Sequence, residues 1–281
     1  MTESTPQNNV PLEAKSPYEL RVNLSAGVPE NAVKHALETG DMGFLHSFTT
    51  GSTVDGPGVR VVAWTAGCHW RCQFCHNPDT WSLSNGMPVT LTKAVEEIRK
   101  YRHGLKVMSG GFTITGGEPL VQDRFATRLL AAAKQMGVHT ALNTNGGFGE
   151  RVSDQELDSI DLVIMDMKMW DPERHRKLTG KDNAPTHDFA RRLSARKQPL
   201  WVRFVLIPGV TDDVADIQQI AKFCASLGNV QRVDVLPFHQ MGRFKWKELG
   251  INYPLENTEP PSNELVQQVC ALFAAEGLKT V

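Results

Sequence analysis

The sequence predicts an α/β fold, an open partial (β/α)6 barrel. Six short apolar runs, rich in β-branched residues, alternate with longer amphipathic stretches. That alternation is typical of βα units that form a parallel sheet. Most of the unusual polar residues stand directly after one of these runs, where a strand would end. Six parallel strands are too few for a complete eight-stranded barrel, so we expect a barrel that is open on one side.

The apolar runs and the segments between them define the predicted elements. The strands are Val59–Thr65, Phe112–Thr115, Val138–Asn143, Asp161–Asp166, Leu200–Leu206 and Arg232–Pro237. The helices are Leu91–Tyr101, Val121–Met136, Asp154–Ser159, Pro172–Leu178, Thr186–Ala195, Asp213–Leu227 and Asn263–Glu276. Residues that favour helix N-caps support several of these starts. They are Thr90, Ser153, Thr211 and Ser262.

The first forty residues differ from the rest. Residues 1–40 begin with a segment rich in Pro, Asn, Glu and Thr, and hold one helix-like stretch, Glu30–Thr39, which Gly40 could terminate. We predict that they are an N-terminal extension, partly disordered. Residues 41–281 are predicted to form a single partial-barrel domain, because a chain of 281 residues that is 41% hydrophobic can bury a core of that size.

Composition and charge exclude several classes of partner. Lys and Arg number 30 against 31 Asp and Glu, so there is no bulk electrostatic reason to expect nucleic acid or an anionic membrane. No apolar stretch approaches the ~20 residues of a membrane span, and Met1–Lys15 resembles no targeting signal. Five cysteines, three of them clustered, argue against a disulfide framework. We expect a cytoplasmic protein that acts on a small molecule or another protein.

Three cysteines close together in the chain indicate one metal centre. Cys68, Cys72 and Cys75 follow the first predicted strand with the spacing CxxxCxxC. They supply three thiolates where a closed tetrahedral zinc site or an ordinary iron-sulfur cluster uses four. The missing ligand would leave one metal position open for chemistry. The alternative is a structural zinc site completed by His69 or His76, although no second Cys/His pair stands at a typical spacing.

Polar segments also follow the second and third predicted strands. Gly116-Gly117-Glu118 comes after the second strand, and Asn143-Thr144-Asn145-Gly146 closes the third. Paired glycines allow a ligand to approach the main chain closely, although a plain tight turn is the alternative. In barrel-type α/β folds the strand ends meet at one face, so we expect these segments near the cysteines.

The remaining candidates lie around the later strands and before the first. Asp166 and Lys168 end the fourth strand, where isolated charges are costly unless they bind a ligand or, as the alternative, form a structural ion pair. Arg203 lies in the fifth strand, and His239 follows the sixth. His239 is a candidate for ligand contact, with a hydrogen-bonded core residue as the alternative. Asp55 belongs to a turn before the first strand, and hydrogen bonds from its side chain to the turn's own backbone would explain its presence there. Its predicted position at the mouth of the barrel also makes it a candidate for contact with a partner.

Together these motifs resemble the radical S-adenosylmethionine superfamily. Within that superfamily, the chain from Phe44 onward resembles the activating enzymes of glycyl radical enzymes, of the pyruvate formate-lyase type. The matching segments are Ser52–Arg60, Gly67–Trp81, Tyr101–His103, Thr115–Pro119, Asn143–Gly146, Asp161–Lys168, Trp201–Gly209 and Asn229–Trp246. Many other activating enzymes of this kind carry an inserted ferredoxin-like domain before the GGE turn. Here the 40 residues between Cys75 and Gly116 contain no cysteine, which favours the pyruvate formate-lyase type.

The resemblance implies a cofactor set and a reaction. The three clustered cysteines would hold a 4Fe-4S cluster, whose fourth iron binds the amino and carboxylate groups of S-adenosylmethionine. The residues implied around that cofactor are Phe74, Cys75, His76, Gly116, Gly117, Glu118, Asp166, Met167, Lys168, Arg203 and His239. Reductive cleavage of S-adenosylmethionine would release a 5′-deoxyadenosyl radical that abstracts hydrogen from a glycine of the partner protein. The implied partners are pyruvate formate-lyase or a related glycyl radical enzyme, with a flavodoxin or ferredoxin as electron donor.

A monovalent cation beside the cofactor is also implied, held by Asn143, Thr144 and Asp166. The family commonly has Asp where Asn143 stands, so an oxygen ligand is kept and a charge is lost. Pro119 replaces an Ala that is frequent after GGE in this branch. Two other functions compete with this one. They are a radical S-adenosylmethionine enzyme for a small molecule, such as a modified-nucleobase synthase, and a zinc-stabilised binding module.

Overall fold

An eight-stranded sheet runs through the computed structural model, which describes residues 22–24 and 29–281. Its strands are β1 (Met42–Ser52), β2 (Arg60–Thr65), β3 (Met87–Thr90), β4 (Gly111–Gly116), β5 (His139–Thr144), β6 (Leu162–Asp166), β7 (Leu200–Leu206) and β8 (Val230–Pro237). They lie in the order β3-β1-β2-β4-β5-β6-β7-β8. Strands β2 and β4 to β8 are parallel, whereas β1 runs antiparallel to β2 and β3. The open α/β sheet with six parallel strands confirms the predicted fold class.

All six predicted strands are present, with ends that move by at most two residues. Two further strands, β1 and β3, were not predicted from the sequence. Strand β3 has four residues, one of them Pro88, which cannot donate to a sheet and is unusual in a strand interior. Both strands extend the sheet beyond β2, outside the βα series, so the search for βα units did not find them.

Nine helices are described, and most cover the sheet. They are α1 (Glu30–Thr39), α2 (Leu91–Val107), α3 (Asp123–Gln135), α4 (Asp154–Leu157), α5 (Pro172–Thr179), α6 (Ala184–Ala195), α7 (Val214–Leu227), α8 (Arg243–Glu248) and α9 (Asn263–Ala275). The predicted caps Thr90, Ser153 and Ser262 accept main-chain hydrogen bonds as expected. The prediction for Thr211 was wrong: Asp213 caps α7, while Thr211 Oγ1 accepts from Ile207 N.

Alternation along the strands separates a helix-covered face from an open face. Val202 and Phe204 of β7 belong to the large apolar core under the helices. On the opposite face, Ile164 and Trp201 belong to a small separate cluster, and Arg203 alternates with the core residues of β7. Side chains on a strand alternate between the two faces. Arg203 therefore points into the interior of the partial barrel, away from the helices.

Helix α1 contacts the rest of the chain without burying any residue fully. Arg128 Nη1 donates to Thr39 O at 2.6 Å, and Val22 N donates to Pro88 O at 2.7 Å. The domain boundary between residues 40 and 41 stays a prediction. The predicted partial disorder of residues 1–40 falls mainly on residues outside the described ranges. No helix of the described chain combines the length and apolar character that a membrane span needs.

Candidate active site

A cavity of about 450 Å³ lies at the carboxyl ends of the parallel strands. Its walls come from the segment after β2 and from the ends of β4 to β8. The predicted site residues in its lining are Cys68, Cys72, Phe74, Cys75, His76, Gly116, Gly117, Asn143, Thr144, Asp166, Lys168 and His239. The fold therefore brings residues that are far apart in the sequence around one space.

Several lining residues were not identified as site residues from the sequence. They are Asn77, Thr115, Val205, Leu236 and Pro237. Four of them, Thr115, Val205, Leu236 and Pro237, are strand residues near the ends of β4, β7 and β8. Their position at a strand end, on the inward side of the alternation, was a signal that could have identified them.

The segment from Cys68 to Cys75, here called the cluster loop, is held by main-chain hydrogen bonds. Cys68 N donates to Trp81 O at 3.1 Å, and Cys75 N donates to Cys72 O at 3.1 Å. Trp246 Nε1, from α8, donates to Cys75 O at 2.8 Å. The three thiols are thereby presented to the cavity from a loop whose main chain is tied on several sides.

The surroundings of the three thiols are apolar. Burial raises the pKa of Cys68 to about 12 and raises the pKa values of Cys72 and Cys75 above the ordinary range. Phe74 and Trp246 belong to a buried apolar cluster on which Cys72 and Cys75 pack. Thiolate ligation to a metal would therefore release protons from these buried thiols.

Two glycines allow close main-chain packing beside the cluster loop. Gly116 has φ 124°, and a Cβ there would lie 2.2 Å from Thr65 N. A Cβ on Gly117 would lie 2.4 Å from Gly67 O. No side chain fits between these backbones, so the end of β4 sits directly against the start of the cluster loop.

Glu118 does not line the cavity, although it follows these glycines. Its side chain is fully buried and accepts hydrogen bonds from Thr144 Oγ1 at 2.7 Å, Asn145 N at 2.7 Å and Leu120 N at 3.0 Å. Burial raises the pKa of Glu118 to about 7, and the three donors oppose that shift. The carboxyl group ties the loop after β4 to the loop after β5, and a cofactor contact through Glu118 stays a prediction.

Asp166 and Lys168 form an ion pair within the cavity lining. Lys168 Nζ lies 2.9 Å from Asp166 Oδ2 and 5.0 Å from the centre of the Phe74 ring. Burial opposes the charged form of Lys168, yet Asp166 raises its pKa above the ordinary value. Met167 between them has its side chain in the apolar core, so only its main chain is available to the cavity.

Two histidines stack at the opposite side of the lining. The His76 and His239 rings are 4.2 Å apart and nearly parallel, and His76 Nε2 lies 3.1 Å from His239 O. Burial, and then the neighbouring His239, lower the pKa of His76. A stacked ring pair with polar edges faces the space above the cluster loop.

Arg203 and Asp55 lie together, away from the cavity lining. Arg203 Nη1 is 3.6 Å from Asp55 Oδ1, and Arg203 Nε is 3.7 Å from Asp234 Oδ2. Arg203 Nη2 also donates to Val54 O, and Ser52 Oγ donates to Asp55 Oδ2 at 2.6 Å. These contacts tie the turn before β2 to the inner face of β7 and β8. The roles predicted for Arg203 and Asp55 stay predictions.

The residues proposed for a monovalent cation are already bonded to neighbours. Asn143 Nδ2 donates to Thr115 Oγ1 at 3.0 Å, Thr144 Oγ1 donates to Glu118, and Asp166 is paired with Lys168. All three nevertheless line the same cavity. Cation binding by these three residues stays a prediction.

The donor set fits a cluster held by three thiolates. Three cysteines line one cavity, and Cys224 and Cys270 are not in its lining. Within the described ranges, no three His, Cys, Asp or Glu side chains are grouped closely enough to hold a single metal ion. Apolar rings around the thiols are the environment in which iron-sulfur clusters are shielded from solvent.

Comparisons with known proteins agree with this geometry. The family model of the Radical SAM superfamily matches residues 62–224. The pyruvate formate-lyase-activating enzyme of Listeria monocytogenes serovar 1/2a is 45% identical over 232 residues, which cover 80% of this chain and 93% of the relative. That of Staphylococcus epidermidis is 44% identical over 233 residues, with 80% and 93% covered.

Solved structures give the same fold. A domain of a pyruvate-formate lyase-activating enzyme from Bacteroides vulgatus matches with a TM-score of 0.50 and 27% identity, covering 61% of this chain and 98% of that domain. Streptococcus suis SuiB, bound to its precursor peptide SuiA, matches with a TM-score of 0.59 and 16% identity, covering 99% of this chain and 57% of SuiB. The second likeness supports the fold alone. On these matches, the chain belongs to the radical SAM superfamily and, within it, to the pyruvate formate-lyase-activating enzymes.

Proposed function

We propose that this chain activates pyruvate formate-lyase, a glycyl radical enzyme. The observation that carries the proposal is that Cys68, Cys72 and Cys75 line one wall of a cavity at the carboxyl ends of the parallel strands. When bound, a 4Fe-4S cluster and S-adenosylmethionine supply reductive cleavage to a 5′-deoxyadenosyl radical, which abstracts a hydrogen atom from one glycine of the partner. The other side chains position the reactants and exclude water.

The three cysteines would bind the cluster, and buried rings would keep water from it. Trp246 holds the cluster loop through Cys75 O, and Phe74 covers the thiols from within. Shielding of this kind tunes the reduction potential of an iron-sulfur cluster. The stability of the reduced form would therefore depend on these rings.

S-adenosylmethionine would occupy the cavity between the cluster loop and the strand ends. Gly116 and Gly117 present main chain without side chains on one side. The Asp166–Lys168 pair and the stacked histidines provide charged and polar groups on the other. A zwitterionic methionine moiety and an adenosine suit such a mixed lining. Met167 would take part through its main chain, because its side chain lies in the core.

The partner's glycine segment would reach the cavity along the open inner face. Asp55 and Arg203 lie on that face, linked to each other and to Asp234. A buried, bonded arginine and carboxylate can recognise peptide groups with defined geometry. We assign Asp55 to contact with the partner protein and Arg203 to the wall beside the cofactor.

The proposal has three further parts. A monovalent cation would bind Asn143, Thr144 and Asp166 beside the cofactor, and S-adenosylmethionine cleavage would then differ between potassium and choline salts. A flavodoxin or ferredoxin would supply the electron that reduces the cluster.

The five cysteines form no disulfide in the described chain, which suits a reducing compartment such as the cytoplasm.

The test is an anaerobic assay with a matched pair of cysteine variants. The reconstituted protein, with dithionite and S-adenosylmethionine, is expected to form 5′-deoxyadenosine and to leave a glycyl radical signal in electron paramagnetic resonance of added pyruvate formate-lyase. Cys72→Ala should abolish both signals and lower the iron and sulfide content. Cys270→Ala, outside the cavity, should change neither. Cleavage without a glycyl radical on the partner would favour a small-molecule substrate instead, and a preparation that binds one zinc and no sulfide would refute the proposal.

A further inference from the structure

The cluster loop has a second side, which faces away from the cavity. Cys72 and Phe74 line the cavity, whereas the alternating residues Arg71 and Gln73 are absent from its lining. Arg71 N donates to Thr179 O at 2.7 Å and Gln73 N donates to Leu178 O at 3.0 Å. The end of α5 therefore lies against the loop that carries the three thiols, on the side away from the cavity.

This side carries positive charge that the described carboxylates leave uncompensated. Arg71, Lys177 and Lys181 are exposed, and no carboxylate within the described chain lies at ion-pair distance from any of the three. Arg71 Nη1 donates to the carbonyl oxygens of Cys68 at 2.7 Å and Trp70 at 2.8 Å, which holds its charge over the cluster loop. We call the surface formed by Arg71, Gln73, Lys177 and Lys181 the basic face.

The neighbouring surface formed by α8 also contacts the cluster loop, but two of its three basic residues are paired, and the third, Lys247, stands beside the exposed Glu248. Lys245 Nζ lies 2.9 Å from Asp79 Oδ2, and Arg243 forms an ion pair with Glu256. That surface also adjoins His239 at the cavity lining, so a carrier docked there would stand beside the cavity. Of these two surfaces, the basic face has the larger unpaired positive charge, and docking there leaves the cavity unobstructed.

We propose that the basic face docks the protein that reduces the cluster, a small acidic one-electron carrier of the flavodoxin type. The inference rests on the proposed function and adds the surface through which the electron enters. The carrier loses one electron and the cluster gains it, with no proton or group transferred. Uncompensated positive charge attracts an acidic partner and raises its association rate, and docking on this side leaves the cavity free for S-adenosylmethionine and the glycine segment.

The test compares two double variants with the same change in net charge. Lys177→Glu with Lys181→Glu reverses the basic face, and Lys222→Glu with Lys279→Glu reverses two exposed lysines on α7 and after α9. Binding of purified flavodoxin to the cluster-loaded protein is titrated by calorimetry. At low ionic strength, the first variant should bind about tenfold more weakly than the wild type and the second within about twofold of it. The difference should shrink at high salt.

Further measurements separate docking from folding and from the chemistry. K177R with K181R keeps the charge and should bind like the wild type. With dithionite as reductant, all variants should form 5′-deoxyadenosine equally, whereas with reduced flavodoxin only the K177E/K181E protein should be slower. Equal binding by the K177E/K181E protein and the wild type, or weaker binding by K247E on α8 alone, would overturn the inference. Absence of 5′-deoxyadenosine with dithionite in the wild type would refute the proposed function, while the titration would still decide the docking surface.

Discussion

At the scale of single residues, main-chain packing leaves no room for a side chain where β4 ends. Gly116 has a positive φ and no room for a Cβ beside Thr65. Gly104, on α2, is different, because a Cβ there would meet only Met108 Cε at 3.8 Å. The same substitution should therefore have opposite effects at the two positions.

Gly116→Ala is expected to lower the free energy of unfolding by about 2 kcal/mol or more, since alanine is strained at this φ and Thr65 main chain cannot move aside. Gly104→Ala should raise it by about 0.5–1 kcal/mol through helix propensity. Urea unfolding of both variants provides the measurement. If the two substitutions changed the free energy of unfolding equally, the close packing of β4 against β2 would not be the reason for glycine at position 116.

Buried histidines give the fold an acid sensitivity. The His187 ring is stacked on Trp170 with 4.9 Å between centroids. Burial, followed by the charges of Arg191 and His175, lowers the pKa of His187 to about 4, while Asp188 acts in the opposite direction. The unfolded chain takes up this proton near pH 6.5 and the folded chain only near pH 4. The unfolded state therefore binds more protons in that window, and stability falls as the pH drops through it.

His187→Phe should reduce the loss of stability between about pH 7.5 and about pH 5 by roughly 2 kcal/mol, because phenylalanine keeps the stack and cannot titrate. Urea midpoints at the two pH values measure the effect. His103→Gln, which removes an exposed ring on α2, controls for the loss of one histidine. If both variants kept the full acid sensitivity of the wild type, the buried ring would not be its source.

At the scale of elements, the short helix α8 supports the cluster loop. Trp246 is buried, meets Trp81 edge-on at 5.1 Å and donates to Cys75 O at 2.8 Å. Lys245 adds an ion pair to Asp79, whose hydrogen bonds from His46 and Lys245 outweigh burial and lower its pKa to about 2. A helix of six residues has little stability of its own. Helix α8 and the loop that carries the thiols therefore stabilise each other.

Trp246→Phe should cost about 1–3 kcal/mol of stability, because Cys75 O loses its donor and the ring contact shrinks. The cluster-loaded variant should also lose its visible absorbance faster in air. Trp201→Phe is the matched control, since Trp201 donates only to Gln231 near the surface. Similar behaviour of the two variants would contradict a supporting role for α8.

At the scale of the whole molecule, helix α1 is attached to the domain at few points. Within the described chain, α1 buries no residue fully and donates nothing to the cavity lining. Its contacts with α3 include the Arg128 bond to Thr39 O. The partial barrel should therefore form without this segment.

Deletion of residues 1–40 should lower the free energy of unfolding by no more than about 2 kcal/mol, which is what the few half-buried apolar side chains of α1 contribute. Cluster content and 5′-deoxyadenosine formation should stay at the wild-type level. Thermal unfolding and iron analysis measure both. Failure of the shortened chain to fold would place the domain boundary before residue 41.

The sequence by itself determined the six parallel strands and the chemistry of the cluster loop. Alternating β-branched and amphipathic segments report local preferences, and three thiols within one loop need no tertiary information to suggest a metal. The short strand β3 and helix α8 were not predictable in this way, because they depend on contacts with β1 and with the cluster loop.

Only the tertiary structure decided which candidate residues share the cavity. Parallel pairing put Asn143 and Asp166 beside the cluster loop, while the same packing buried Glu118 between two loops and Met167 in the core. It also placed Arg203 against Asp55, away from the lining. The physical reason is that strand alternation and register, set by burial of the whole sheet, decide the direction of each side chain.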